Sequence, residues 1–337
     1  MNKPVPFFLK PVGKDYLWGG NRLKDDFGKS INMKPLAESW ECSTHPDGIS
    51  VVGSGIYKGR PLDEVLKYHP EYIGSHPKSH KNLPQGQLPI LIKLIDAKKD
   101  LSIQVHPDDE YAQKYEHGQL GKTEMWYVLD ADRNTKLIYG LKKEVSRERL
   151  QNSIISGTFD KFLRYVPVQK NDVFCVESGT IHAIGAGALI AEIQENSNLT
   201  YRLYDYNRTD ESGNQRELHI EKGLDVANLK LNEEPKQPIR TLKYQPGYAS
   251  ELLCRCRYFQ VERILLNTER NRDMILFSAT ETSFLVLLCI EGCGVMFFEE
   301  DHIEKAFPIF KGDCIFVPSG SIEFKIHGKL QILKTCC

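Results

Sequence analysis

Short apolar or alternating runs punctuated by glycine, proline and aspartate dominate this chain. The runs at 89–95 (PILIKLI), 172–176 (DVFCV) and 188–193 (ALIAEI) are of strand length and β-rich, and they predict an all-β barrel framework. Helical periodicity interrupts it in four places. Residues 61–68 open with Pro61 in a first turn, and 146–156 open with Ser146 as a cap. Residues 108–117 and 216–229 carry the same pattern without such clear starts. The expected fold is therefore mainly β, with a few inserted helices.

One stretch occurs twice. Residues 170–182 (KNDVFCVESGTIH) align with 311–323 (KGDCIFVPSGSIE) at a constant offset, 313 − 172 = 141. A repeat of that kind predicts two barrels of related design. The polar, proline-containing stretch 231–238 is the expected boundary, giving units 1–238 and 239–337. Glu323 stands in the second copy where His182 stands in the first, so the second barrel is expected to lack metal ligands.

Bulk properties narrow the partners. With 44 basic and 45 acidic residues in 337, nothing indicates a nucleic-acid or membrane-surface partner. The most apolar stretch, 284–298, is interrupted by Glu291 and two glycines and is too short to span a bilayer. Nine cysteines without a Cys-x-x-Cys pair, and an N-terminus without a signal-like apolar core, favour free thiols in a reducing cytoplasm. The chain is expected to act as a monomer or homodimer. Residues 185–187 (GAG) follow a histidine rather than a strand entering a helix, and no phosphate loop occurs, so dinucleotide and ATP binding are not expected.

The chemistry concentrates in a few strand-like segments. Alternation puts Gln104 and His106 on one face of theirs, and Lys122, Glu124 and Trp126 on one face of a strand expected over 122–129. A tight turn at 178–183 delivers His182. Two imidazoles and a carboxylate suit a borderline divalent ion with an open coordination position. His45, His69, His76, His80, His117 and His219 have no such company and read as structural or surface residues. Gln104 is either a further ligand through its carbonyl oxygen or an amide hydrogen-bonded inside the barrel. Arg202, in 198–206 (NLTYRLYDY), shares a face with Tyr204 and Tyr206 by alternation; by itself it reads as an exposed arginine paired with an acid such as Asp205.

In order and spacing, AESWE (37–41), SIQVHPDDE (102–110), KTEMW (122–126), SGTIHA (178–183) and the 192–202 stretch resemble the type I phosphomannose isomerases, in their short bacterial form. The resemblance covers nearly the whole chain. It implies cupin-type jelly-roll barrels and one zinc ion on His106, Glu124 and His182, with Gln104 as a further ligand. It also implies interconversion of mannose 6-phosphate and fructose 6-phosphate through an enediolate. Arg202 matches the family's active-site arginine and is taken as the catalytic residue, with Glu192 and Lys122 as second choices for the proton transfer. Lys122 and Glu192 are expected beside the sugar. Trp18, in YLWGG (16–20), either stacks on the sugar or packs in the core. Two rival readings share the ligand set: a non-haem iron cupin oxygenase, and a non-catalytic sugar-binding cupin.

Overall fold

The computed structural model describes residues 3–337 apart from 79–82, 211, 234, 236 and 270–273; His80 and part of the 231–238 stretch lie outside the described residues. The fold is mainly β, as expected. Six strands form one antiparallel sheet in the order Val173–Val176, Glu124–Ala131, Ala188–Glu195, Ile90–Ala97, Glu38–Cys42, Val12–Lys14. Five more form a second, in the order Tyr201–Tyr204, Ile103–Val105, His182–Ala183, Lys136–Leu141, Leu163–Pro167. Side chains from both sheets share one core that includes Trp126, Val128, Leu137, Phe174, Ile184 and Ile190.

The six-stranded sheet is covered on its other face as well. There Ile92, Leu94, Met125, Tyr127 and Leu189 pack with Leu253, Val261, Val286 and Phe316 of the C-terminal sheet. This explains the unbroken apolar runs: every residue of Ile90–Ala97 and of Ala188–Glu195 is buried, because both pleat faces meet protein. The five-stranded sheet instead backs onto helices Arg147–Ile155 and Ile220–Val226, through Val105, Leu150, Ile154, Leu203 and Leu224.

The C-terminal sheet has ten strands, dominated by Leu285–Glu300 and Phe324–Cys336. The apolar stretch at 284–298 is thus largely a strand, and no helix among the described residues is long and apolar enough to cross a membrane. Strands Phe7–Lys10 and Val51–Val52 also belong to this sheet, Phe7 pairing with Phe316. A cut at residue 238 would therefore remove two of its strands. The repeat has a structural counterpart in strands Val173–Val176 and Cys314–Val317, again 314 − 173 = 141 apart. Where the second copy has Gly312 (φ 98°), the first has Asn171 (φ 74°). Asparagine tolerates the left-handed region, so the turn survives the loss of glycine.

Three of the expected helices form, and side-chain caps start two of them. Helix Asp109–Tyr115 starts at Asp108, whose carboxylate accepts from Tyr111 N (2.9 Å), and Ser146 accepts from Arg149 N at the start of Arg147–Ile155. Pro61 precedes helix Leu62–Tyr68. The helix expected over 216–229 shrinks to Ile220–Val226. Arg216 is held by Asp205 and His219 N donates to Arg202 O (2.7 Å), so the chain before Ile220 is tied to the neighbouring strand.

One buried ion pair ties the N-terminal sheets to the C-terminal one. Lys29 Nζ donates to Glu41 Oε2 (2.6 Å) and to Gly312 O, and Ser39 Oγ donates to Glu41 Oε1 (2.7 Å). Glu41 is fully buried, so removing its cation strands a charge in apolar surroundings. Lys29→Met should therefore cost about 3–5 kcal/mol in chemical denaturation. The double variant Lys29→Met/Glu41→Leu should recover most of that loss.

Candidate metal centre

The two inner sheets each bring candidate ligands to their shared interior. Strand Ile103–Val105 and the residue after it carry Gln104 and His106, and strand His182–Ala183 lies beside it with His182 opposite Gln104. Glu124 opens the strand Glu124–Ala131 of the facing sheet. Among the described residues, His106, Glu124 and His182 form a group whose ligand atoms all lie within 4.8 Å of one another. His106 Nε2 is 3.2 Å from Glu124 Oε1, and His182 Nε2 is 3.7 Å from Glu124 Oε2. All three side chains are 1% exposed.

The surrounding backbone sets the imidazole tautomers. His106 Nδ1 faces Leu199 O (2.7 Å) and His182 Nδ1 faces Thr180 O (2.8 Å). A carbonyl can only accept, so both Nδ1 atoms carry the proton and both Nε2 lone pairs face the centre. Burial, and then the Lys122 charge, pushes His106 down to about 3; burial also lowers His182. Burial by itself would raise the Glu124 carboxyl, but the Lys122 charge holds it well below the usual range. Glu124 Oε2 has no hydrogen-bond partner among the described residues although it is fully buried. Such an oxygen is costly unless a cation completes it. Ligands about 2.1 Å from a tetrahedral ion would stand about 3.4 Å apart, close to the spacings seen. The donor set fits a divalent metal.

Lys122 and Gln104 flank the three ligands. Lys122 Nζ donates to Glu124 Oε1 and lies 3.3 Å from His106 Nε2. It precedes the strand rather than lying in it, contrary to the expected start at 122: Lys122 N donates to Pro107 O (3.0 Å) and Thr123 N to the Glu195 carboxylate (2.7 Å), so neither donor joins the ladder. Gln104 Nε2 is 3.4 Å from His182 Nε2, and turning its amide over would aim the oxygen there instead.

A cavity of ≈ 230 Å³ opens over this group, with Tyr16, Trp18, Gln104, Lys122, Glu192 and Arg202 among its walls. Trp18 serves the core and the cavity together: it is 3% exposed, stacks on Tyr16 at 5.5 Å and packs with Ala37 and Ile95. Glu192 accepts from Trp126 Nε1 (2.9 Å) and lies 3.5 Å from Lys93 Nζ. Burial and then the Glu124 charge raise its carboxyl above the ordinary range.

Arg202 departs from its simplest reading. Asp205 is taken by Arg208 and Arg216, the latter at 2.8 Å through Nε, whereas among the described residues Arg202 Nη1 donates to Glu217 O (2.8 Å) and its Nε has no partner. Its charge is free for the cavity; burial and then Arg216 lower its pKa. The expected Arg202–Tyr204–Tyr206 face is cut short: the strand ends at Tyr204, and Tyr206 (φ 56°) and Asn207 (φ 52°) turn the chain away.

Sequence reasoning passed over Lys93, Glu38 and Arg216, which line the same cavity. Lys93 left a signal, a lysine inside the apolar run at 89–95. Its ammonium is buried against Glu38 (3.7 Å) and Glu192, which raise its pKa against the effect of burial. Glu38 also accepts from Trp40 Nε1 (2.7 Å). In the C-terminal half, Glu323 is exposed, His327 Nδ1 meets Thr268 Oγ1 (2.8 Å), and His302 lies on an exposed turn.

The neutral His106 has a consequence for the metal-free protein. Its pKa falls from 6.5 unfolded to about 3 folded, so the unfolded chain binds the proton first. Folding stability is thus full above about pH 6.5 and is lost as pH drops towards 3. Denaturation midpoints of chelator-treated protein should fall across that window, less steeply in His106→Asn.

The catalytic-domain family of type I phosphomannose isomerases matches residues 7–135. The mannose-6-phosphate isomerase ManA of Bacillus subtilis is 40% identical over 331 residues, 97% of this chain and 98% of that protein. A mannose-6-phosphate isomerase of Streptococcus mutans is 45% identical over 328 residues, 97% of each chain. The crystal structure of the mannose 6-phosphate isomerase from Bacillus subtilis superposes with a TM-score of 0.86 at 36% identity, covering 98% of this chain and 99% of that one. With the ligand group above inside a fold shared over nearly its full length, this chain belongs to the type I phosphomannose isomerase family.

Proposed function

We infer that the chain interconverts mannose 6-phosphate and fructose 6-phosphate with one zinc ion on His106, Glu124 and His182, Gln104 supplying a further oxygen. The observation that carries this reading is the unpartnered Glu124 Oε2 facing two Nε2 lone pairs beside a cavity that holds free positive charge. Zinc suits the donor set because it changes neither redox state nor preferred geometry. When bound, it would act as a Lewis acid on the sugar oxygens that gain charge as the enediolate forms.

The protein's own groups have separable tasks. Arg202, without a carboxylate partner, is our catalytic residue: its guanidinium meets the charge of the enediolate. The proton must leave one carbon and return to its neighbour, which needs a group whose pKa approaches neutrality. Glu192 is our first candidate, because its raised pKa moves it that way while Trp126 and Lys93 hold its two oxygens. Lys122, already against Glu124, would orient a sugar hydroxyl. The oxygenase and simple-binder readings are not favoured, since the nearly full-length relatives are isomerases and the cavity is cationic.

A coupled assay for fructose 6-phosphate tests the reading directly. Activity should vanish on chelation and return with zinc; metal-replete protein without activity would overturn it. Arg202→Ala should lower kcat by about 10²–10³ with bound metal unchanged by elemental analysis. Glu192→Gln should lower kcat by about 10²–10⁴, again with metal retained.

A further inference from the structure

All nine cysteines are free thiols, but two of them meet across the packing of the two halves. Cys175, exposed, lies on strand Val173–Val176 at the edge of the six-stranded sheet. Cys254, buried, lies on strand Tyr248–Arg255 of the C-terminal sheet. Their Sγ atoms are 2.8 Å apart although the residues are 79 apart in sequence. The C-terminal strand is irregular at this point, with a register shift between Leu252 and Cys254. Such a bulge re-aims side chains, and here the cysteine beyond it faces the neighbouring sheet. On the other side, Tyr139 Oη donates to Cys175 O (2.6 Å) and steadies the backbone of this exposed residue.

We propose that Cys175 and Cys254 are a peroxide-reactive dithiol that closes to a reversible disulfide between the two sheets. The pair is asymmetric in the way this chemistry requires. Cys175 is the exposed residue of the two and Cys254 the buried one, so peroxide reaches Cys175 first with Cys254 Sγ in contact behind it. The Cys175 thiolate attacks one peroxide oxygen, the O–O bond breaks, and sulfenic acid and hydroxide form. The Cys254 sulfur then attacks Cys175 Sγ; the S–O bond breaks, the S–S bond forms, and the thiol proton leaves with the hydroxyl as water. Overall, two thiols and one hydrogen peroxide give one disulfide and two waters.

The location gives the bond a structural meaning. Cys175 pairs with Met125 and Val176 with Glu124, so the disulfide would fasten the strand beside the metal-ligand strand to the C-terminal sheet. Neither cysteine is among the residues assigned to metal or substrate.

Exposed Cys293 provides an internal clock for the test. Metal-loaded protein is treated with hydrogen peroxide, quenched, and mapped by mass spectrometry without reductant. The expected result is a cross-linked peptide pair containing Cys175 and Cys254, formed before Cys293 is consumed and released by dithiothreitol. In Cys254→Ser, Cys175 should stop at the sulfenic acid and be captured by dimedone. Full oxidation of Cys293 with Cys175 and Cys254 still reduced would overturn the proposal. So would a cross-link from Cys175 to a different cysteine.

Discussion

The most demanding constraint in the molecule is the burial of Glu124 between two neutral imidazoles. A carboxylate removed from water needs partners for both oxygens, and only one is engaged by a protein cation, Lys122. Everything around it serves to hold that geometry. Two backbone carbonyls fix the imidazole tautomers, and the Glu195 carboxylate takes the amide of Thr123 just before the strand begins. Two sheets must face each other closely for these groups to meet, because Glu124 comes from one and both histidines come with the other.

The six-stranded sheet is the layer on which this depends. It has protein on both faces, so its two sides carry different work. The inner side bears Glu124, Trp126, Lys93 and Glu192, a charged network under the cavity. The other side bears Ile92, Leu94, Met125 and Tyr127 against the C-terminal sheet. The C-terminal half, which carries no part of the ligand group, thus supplies the apolar floor that keeps these strands flat against the site. The buried Lys29–Glu41 pair adds a polar tie between the same two layers.

The two copies of the repeat show how one turn supports different outcomes. Both keep a four-residue strand followed by a left-handed glycine, Gly179 and Gly320. In the first, the residue three positions after the glycine is His182, buried and aimed at Glu124; in the second it is Glu323, exposed. The backbone device is common, and what differs is the one side chain it presents.

Much was legible in the sequence because it is local. Strand-length apolar runs, the cap at Ser146, the offset of 141 and the pairing of Gln104 with His106 on one strand face all depend on near neighbours in the chain. The residue types His, Glu and His pointed to a group that could hold a metal, and the fold brings the three together. Other features depended on contacts between distant segments, which no local pattern encodes. Only the folded ladder shows that strand Phe7–Lys10 belongs to the last sheet, and that the helix near 220 is cut short by Arg216 on Asp205. The freedom of Arg202 likewise exists because two other arginines occupy the acid next to it, and Lys93 becomes a site residue only through acids on two neighbouring strands. Local propensity and side-chain chemistry were written in the chain itself; partner choice among buried charges was decided by which strands the tertiary structure placed side by side.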